Sequence, residues 1–369
     1  MPSARRRGGA EEALVQLAQH NGSGMFRFEI VFLEDGELIE VVHAAGVETH
    51  LLKAGRLRNA AQFVQTVSGI KRIIDLGRYN IVIGWMSKAH IYAGLAARFS
   101  GVPVICFEMG LPDGGLVDRI ARLIAGNGTL TCSEFAAQEQ RRVGSRRVIA
   151  VPLGMDTQRF NIVKLKKATE IRNDFGLPSN AALIGIVGRL QHWKGMHVFL
   201  EAIAVISKSL PEIRGVVVGG VHDMEPAYPA YLKAQVARLG LGDRVIFAGS
   251  QRNVQEWMQA MDVVVHASYR EPFGIVVVEA MALGKPVVAS VPGGPEEIIR
   301  HQVDGLLVKS GDAMELASAI RRYLEEPRLA FRCGEEAKMR AEEFTAARFV
   351  ERFERAIDTL TKASAAVCV

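Results

Sequence analysis

The chain has 369 residues, which at about 100–200 residues per domain points to two domains. Hydrophobic residues make up 49%, with Leu, Ile and Val dominating over the 7% of aromatics, a balance that suits parallel α/β sheets covered on both faces. The net charge is +5 and the pI about 9.0, but the charges are scattered apart from Arg5-Arg6-Arg7 and the lysines at 164, 166 and 167, so the surface reads as solvated, or as docking an anionic ligand or an anionic membrane, with no nucleic-acid partner expected.

Cysteines stand at Cys106, Cys132, Cys333 and Cys368, with no CxxC spacing and no adjoining His cluster. Structural zinc and a disulfide framework are not expected, and a reducing cytoplasm fits. No apolar run reaches the roughly 18 residues of a spanning helix. The basic N-terminus is followed by no apolar stretch, so no signal peptide is expected.

The chain opens on MPSARRR, then Gly8-Gly9-Ala10-Glu11 leading into a predicted helix over Glu12–Gln19. A doubly wound domain begins with a strand that feeds its first Gly-rich turn. MPSARRR is too polar for a central strand, so the chain starts late or the first sheet is one strand short. Predicted strands follow at Phe28–Leu33, Val47–Leu52, Ile81–Trp85, Val102–Phe107, Thr129–Cys132 and Arg147–Val151. His90 sits near the start of a predicted helix over Ala89–Phe99, and Asp113-Gly114-Gly115 reads as a turn. The boundary is expected near Pro152–Phe160, where a turn-forming Leu153-Gly154-Met155-Asp156 leads into a polar, Lys-rich stretch. The second half repeats the alternation, with strands at Ala182–Val187, Gly215–Val218, Arg244–Phe247, Asp262–His266, Pro286–Ser290 and Gly305–Val308. Helices over His197–Ser207, Tyr228–Leu239 and Ala313–Leu324 fall between them. This βα alternation predicts parallel sheets with right-handed crossovers. A last helix, 344–362, carries an apolar stripe at Phe349, Val350, Phe353, Ile357 and Leu360 and is expected to pack back on the first domain.

The strongest functional pattern is Glu271-Pro-Phe273-Gly274-Ile275-Val276 leading to Glu279 within a predicted helix over Ile275–Leu283. Amides at a helix start face an anion favourably. At about 1.5 Å per residue, Glu271 and Glu279 can flank a bound diphosphate, one on a sugar and one on a ribose. The second pattern, Gly188-Arg189 through Lys194-Gly195, follows the strand Ala182–Val187, at the carboxyl end where open α/β sheets bind ligands. Arg189 and Lys194 supply two cations for a diphosphate that gains charge on leaving. A P-loop is excluded because GxxxxGK[ST] is absent. Gly219-Gly220 and Gly249-Ser250 are strand exits where backbone can approach a base, or simply tight turns. Pro292-Gly293-Gly294-Pro295 would close the same rim. With no Asp-x-Asp pair, no metal site is suggested.

On these motifs the chain resembles the bacterial family-4 retaining glycosyltransferases of GT-B architecture, over nearly its whole length. The match is most specific at Gly188–Gly195 and at Glu271 and Glu279, a glutamate pair separated by seven residues. The resemblance implies two Rossmann-like domains facing a cleft, residues 1–154 on the acceptor side and 155–343 binding a nucleotide-sugar. It implies that Glu271, Arg189 and Lys194 carry catalysis. Gly188, Phe273, Gly274, Ile275, Val276, Glu279, Gly249 and Ser250 would bind the donor. Gly8, Gly9, Glu108, Met109 and His90 would line the acceptor side. It further implies a metal-independent hexosyl transfer without a cofactor, to a saccharide or lipid-linked acceptor of cell-envelope synthesis, in the cytoplasm or at the inner membrane face. The family often places a His in the loop that here reads Phe107-Glu108-Met109-Gly110; Met bonds a sugar hydroxyl poorly, whereas Glu108 can accept one. That departure and the polar start keep a non-catalytic nucleotide-sugar-binding or partner-binding protein as the alternative.

Overall fold

Short β-branched runs set the strands. Val216–Val218, Val263–Val265 and Val287–Val288 favour extended backbone, and their burial on both faces matches a parallel sheet packed between helix layers. The computed structural model describes residues 8–21, 24–124, 126–177 and 181–365; Arg5-Arg6-Arg7 and Cys368 lie outside them. The chain divides into two compact units, Met1–Gly154 with Ala346–Val369, and Met155–Thr345.

In the first unit, β1 (Ile30–Phe32) pairs in parallel with β2 (Thr49–Leu51). A separate four-stranded parallel sheet runs β3 (Val82–Trp85), β4 (Val104–Glu108), β5 (Gly128–Thr131) and β6 (Val148–Ala150) in spatial order. Helices Ala60–Gly77 and Met86–Ser100 bury Ile70, Ile74 and Tyr92 together on one side.

The first helix starts at Gly9, three residues ahead of the predicted Glu12, because Glu11 Oε2 accepts the Gly8 amide at 3.0 Å and caps the turn. The last helix spans Ala346–Ala365, so the predicted start at Phe344 is corrected. Thr345 is extended, and Phe344 ends a 3-10 turn with its ring edge-on to Phe273 at 6.0 Å. Phe353 of that helix is fully buried, with its ring centroid 5.2 Å from Phe107 and 5.9 Å from Trp85.

The second unit carries one six-stranded parallel sheet built of β7 (Leu183–Val187), β8 (Arg214–Val218), β9 (Val245–Gly249), β10 (Val263–His266), β11 (Val287–Val291) and β12 (Leu306–Lys309). Its spatial order is β12-β11-β10-β7-β8-β9. The chain therefore winds outward one way from β7 and then restarts at β10 on its other side. The core joins Ile184, Ile186, Val217 and Val265 to Phe199 and Ile203 of the helix Met196–Ile206. Among the described residues no helix is long and apolar enough to cross a membrane.

Emptying the Phe353 site should cost about 3–5 kcal/mol, because a large buried ring is lost and its neighbours relax only partly. Phe353→Ala is expected to lower the unfolding free energy of the full chain by that amount in urea denaturation.

Candidate functional site

In an open α/β sheet the point where strand order reverses opens a crevice at the carboxyl ends of two neighbouring strands. Here that point lies between β7 and β10, which pair from Val263–Ile184 to Val265–Ile186. The loop after β7 runs through Gly188 and Arg189 to a 3-10 turn, His192–Lys194. The loop after β10 runs through Ser268 to Glu271 and then to the helix Ile275–Ala282. Lys194 Nζ meets Glu271 Oε2 at 2.6 Å across the switch point. The sequence patterns treated these two as separate ligand contacts; the structure pairs them directly.

Glu271 is 7% exposed. Its Oε2 also accepts His266 Nε2 at 2.9 Å and Ser268 Oγ at 3.0 Å. Burial by itself would raise the carboxyl pKa, but the Lys194 charge and the His266 and Lys194 bonds outweigh it and hold the group well below the usual carboxylate range. The site thus keeps a buried anion beside a cation. His266 ends an otherwise all-valine strand and Ser268 follows two residues on; neither stood out in the sequence, and a His closing the run Val263-Val264-Val265 five residues before Glu271 is the signal that marks it.

Backbone contacts lock the loops. Gly195 has φ +71°, and a Cβ there would sit 2.0 Å from the Ala267 carbonyl oxygen, so only glycine lets the two loops touch. Tyr269 N–H donates to the Trp193 carbonyl at 2.9 Å, and Gly294 N–H to the Glu271 carbonyl at 2.9 Å. A Cβ on Gly294 would fall 2.4 Å from the Phe273 backbone, so Gly293-Gly294 lies flat on the Glu271 loop. The buried His197 bridges Tyr228 at 2.8 Å and Tyr269 at 2.9 Å; burial, then the neighbouring His192, pulls its pKa down to about 4. The Tyr269 loop is thereby tied to the helix that follows Lys194.

Arg189 is exposed at the same rim. Gly274 is left-handed at φ +98° and ends the turn into the helix that carries Ile275, Val276 and the half-buried Glu279. Phe273 is buried, so its side chain serves packing and its backbone is what the rim presents. Gly188 N–H donates to the Val218 carbonyl and Gly219 N–H to the Gly249 carbonyl, bringing Gly249 and the exposed Ser250 alongside the β7 and β8 exits.

The remaining predicted residues gather in the first unit, at the ends of β3 and β4. Trp85 Nε1 donates to the Ala10 carbonyl at 3.1 Å, which sets the helix opening at Gly8-Gly9 against the end of β3. The Gly8 amide is already taken by Glu11, so this turn is not a bare anion cradle. Glu108 ends β4, buried, beside Met109, and both Ser87 N and Oγ bond its carboxyl. Burial pushes the Glu108 pKa up to about 7 against the Ser87 bonds. Ser87 Oγ also meets Asp118 Oδ1 at 2.9 Å. One hydroxyl hydrogen cannot serve two carboxylates, so a protonated Glu108 donating to Ser87, which donates to Asp118, satisfies all three groups. His90 is 3% exposed under Gly84, whose Cβ would meet the His90 Cα at 2.5 Å; the ring lines the same 310 Å³ cavity as Glu108, and its Nδ1 has no partner. Among the described residues the one trio of metal-ligand type in close reach is Glu29, Glu48 and His50, also in the first unit.

Two parallel α/β units, one of them doubly wound with a charged switch point, correspond to the GT-B class of fold. A family model described as Glycosyltransferase Family 4 matches residues 7–159, and one described as Glycosyl transferases group 1 matches residues 167–340. The two matched regions fall almost entirely one in each unit, and over them the chain is similar to glycosyltransferases of the family 4 type with the GT-B fold. The D-inositol 3-phosphate glycosyltransferase of Streptomyces avermitilis is 35% identical over 294 residues, 73% of this chain and 62% of that protein. The lipopolysaccharide core biosynthesis mannosyltransferase LpsB of Rhizobium meliloti is 32% identical over 180 residues, 48% of this chain and 51% of that one. The chain therefore spans 51% and 62% of the length of these two relatives. The crystal structure of Anabaena Alr3699/HepE in complex with UDP-glucose matches at a TM-score of 0.84 and 25% identity, over 98% of this chain and 97% of that one.

The raised Glu108 pKa carries a sign. Below an ordinary 4.5 the group is protonated folded and unfolded; as pH rises toward and through about 7, ionising it in place costs stability. Glu108→Gln, which mimics the protonated form, is expected to match the parent chain at pH 4.5 and to exceed it by about 3 kcal/mol at pH 8.5 in urea unfolding.

Proposed function

We propose that this chain transfers a sugar from a nucleoside-diphosphate sugar to an acceptor with retention of anomeric configuration. One observation carries the reading: the buried Glu271–Lys194 pair at the β7–β10 switch point, 2.6 Å apart, with the opening of helix Ile275–Ala282 beside it. A fixed carboxylate accepts sugar hydroxyls. The ammonium beside it, with the exposed Arg189 and the helix-start amides at Gly274, Ile275 and Val276, neutralises a leaving diphosphate. Glu279 takes the ribose, and the Gly188 and Gly249-Ser250 exits frame the base. In this reading a donor phosphate oxygen accepts the acceptor proton, so catalysis rests on positioning and charge stabilisation rather than a strong protein base. It needs neither a metal nor a cofactor. The UDP-glucose complex of the Anabaena relative supports a nucleotide-sugar donor.

The acceptor side is Gly8-Gly9, Glu108, Met109 and His90, and the acceptor is a saccharide or lipid-linked saccharide of the cell envelope, as the relatives named for lipopolysaccharide core and inositol phosphate substrates suggest. Work at the inner face of the membrane, from the cytoplasm, suits the helix Leu116–Leu123, where Leu116 and Leu123 are 73% and 84% exposed beside Arg119 and Arg122. The alternative, a nucleotide-sugar-binding protein without turnover, draws on one observation: the acceptor-side groups are already paired internally, Gly8 to Glu11 and Glu108 to Ser87.

Because Arg189 is exposed, its loss leaves the fold alone. Arg189→Ala and Glu271→Gln, with circular dichroism confirming the fold, are each expected to lower kcat/KM for transfer by about 10²–10³-fold, the scale of one charge-stabilising group. Transfer is read as product formed from UDP-, GDP- and ADP-sugars. Normal rates in both variants would remove the assignment; binding of a nucleoside diphosphate with no product from any donor would favour the alternative.

A further inference from the structure

A lysine carries its charge at the end of a flexible four-carbon stem, so the ammonium has no fixed place unless its neighbours supply one. Lys194 has two such neighbours. Glu271 Oε2 accepts from Nζ at 2.6 Å. The same Nζ lies 4.1 Å from the centroid of the Trp193 ring. That is well inside the roughly 6 Å over which an aromatic face attracts a cation, and tryptophan is the strongest ring for it.

The ring sits on a fixed backbone. Trp193 is the middle residue of the 3-10 turn His192–Lys194. Lys194 N–H donates to the Gln191 carbonyl at 3.0 Å, and Gly195 N–H to the His192 carbonyl at 3.0 Å. The Trp193 carbonyl accepts the Tyr269 N–H at 2.9 Å, from the loop that carries Glu271. Trp193 is half-buried and the Lys194 side chain is 16% exposed. A cation–π contact that is partly out of water is stronger than one on an open surface.

The two neighbours act differently. A carboxylate holds an ammonium by accepting one of its three N–H groups and offsetting its charge. A ring face attracts the charge through its quadrupole and brings no counter-charge. A second carboxylate in place of the indole would hold Lys194 equally well and leave it neutralised. The indole holds it and leaves the ammonium able to meet another anion.

We infer that Trp193 is a positioning residue: its indole face holds the Lys194 ammonium beside Glu271 before a ligand arrives, in the place from which it meets the leaving diphosphate. This role rests on the donor-site reading under the proposed function.

The test places tryptophan or its mono-, di- and tetrafluoro forms at position 193 of the full chain. Fluorine withdraws charge from the ring face step by step at nearly constant shape. Trp193→Leu keeps apolar bulk with no aromatic face. The first readout is acetylation of Lys194 by acetic anhydride with no donor present, measured by mass spectrometry against the exposed Lys233. Labelling of Lys194 relative to Lys233 is expected to rise with each fluorine step, to about fivefold in the tetrafluoro chain and in Trp193→Leu. The second readout is transfer from UDP-, GDP- and ADP-sugars. There kcat/KM is expected to fall in the same order, by about 5–20-fold at the end of the series and mainly through kcat, because the charge on the diphosphate grows as it leaves. Packing alone would give no gradation with fluorine. Flat labelling across the series overturns the inference, and so does graded labelling with unchanged kcat/KM. Graded labelling in a chain that forms no product from any donor supports the hold on Lys194 and counts against the transfer reading instead.

Discussion

The candidate site rests on a charge that folding has removed from water. An isolated carboxylate at the burial of Glu271 would be unfavourable by several kcal/mol, and it is retained because one ammonium, one imidazole and one hydroxyl converge on the same oxygen. Each partner arrives from a different position: Lys194 from the loop after β7, His266 from the end of β10, Ser268 from the bend that follows. The glycines that let these loops touch, Gly195 against Ala267 and Gly294 against Phe273, are consequences of that convergence. A side chain at either would separate the groups that keep the anion tolerable.

The two units treat a buried glutamate in opposite ways. Glu271 is surrounded by donors and stays ionised. Glu108 is buried with one backbone N–H and a hydroxyl shared with Asp118, no cation among the described residues reaches it, and burial favours its protonated form. The pKa of the same residue type, at the end of β4 in one unit and in the loop after β10 in the other, is thus pushed up to about 7 in the first and held well below the usual carboxylate range in the second. The difference comes from whether a cation reaches it.

Much of this was legible in the sequence. Valine-rich runs between amphipathic segments gave the parallel sheets, and Gly188–Gly195 and Glu271–Glu279 marked the loops of the switch point. Direct contact between Lys194 and Glu271 was not legible, since it depends on β10 restarting beside β7, and no local pattern encodes spatial strand order. His266 was hidden inside a strand and Ser268 inside a motif read for its glutamates. That the Glu11 carboxylate folds back onto the Gly8 amide was not legible either, since the Gly8–Glu11 run was read only as the acceptor-side entry to the first helix. The last helix was started early because the extended Thr345 that separates it from the 3-10 turn has no local signal, and the Phe344 ring packs with Phe273 off the helical stripe.

Lys194 and Glu271 are 77 positions apart along the chain. Between them lie β8, β9 and the helices that wrap them, so no excised piece shorter than that span contains both members. A fragment ending before β10 would carry the ammonium with no counterion, and one starting after β9 would carry the carboxylate with none. The geometry of this crevice is therefore a collective property of the completed central sheet, present or absent with its long-range strand pairing and not assembled by degrees.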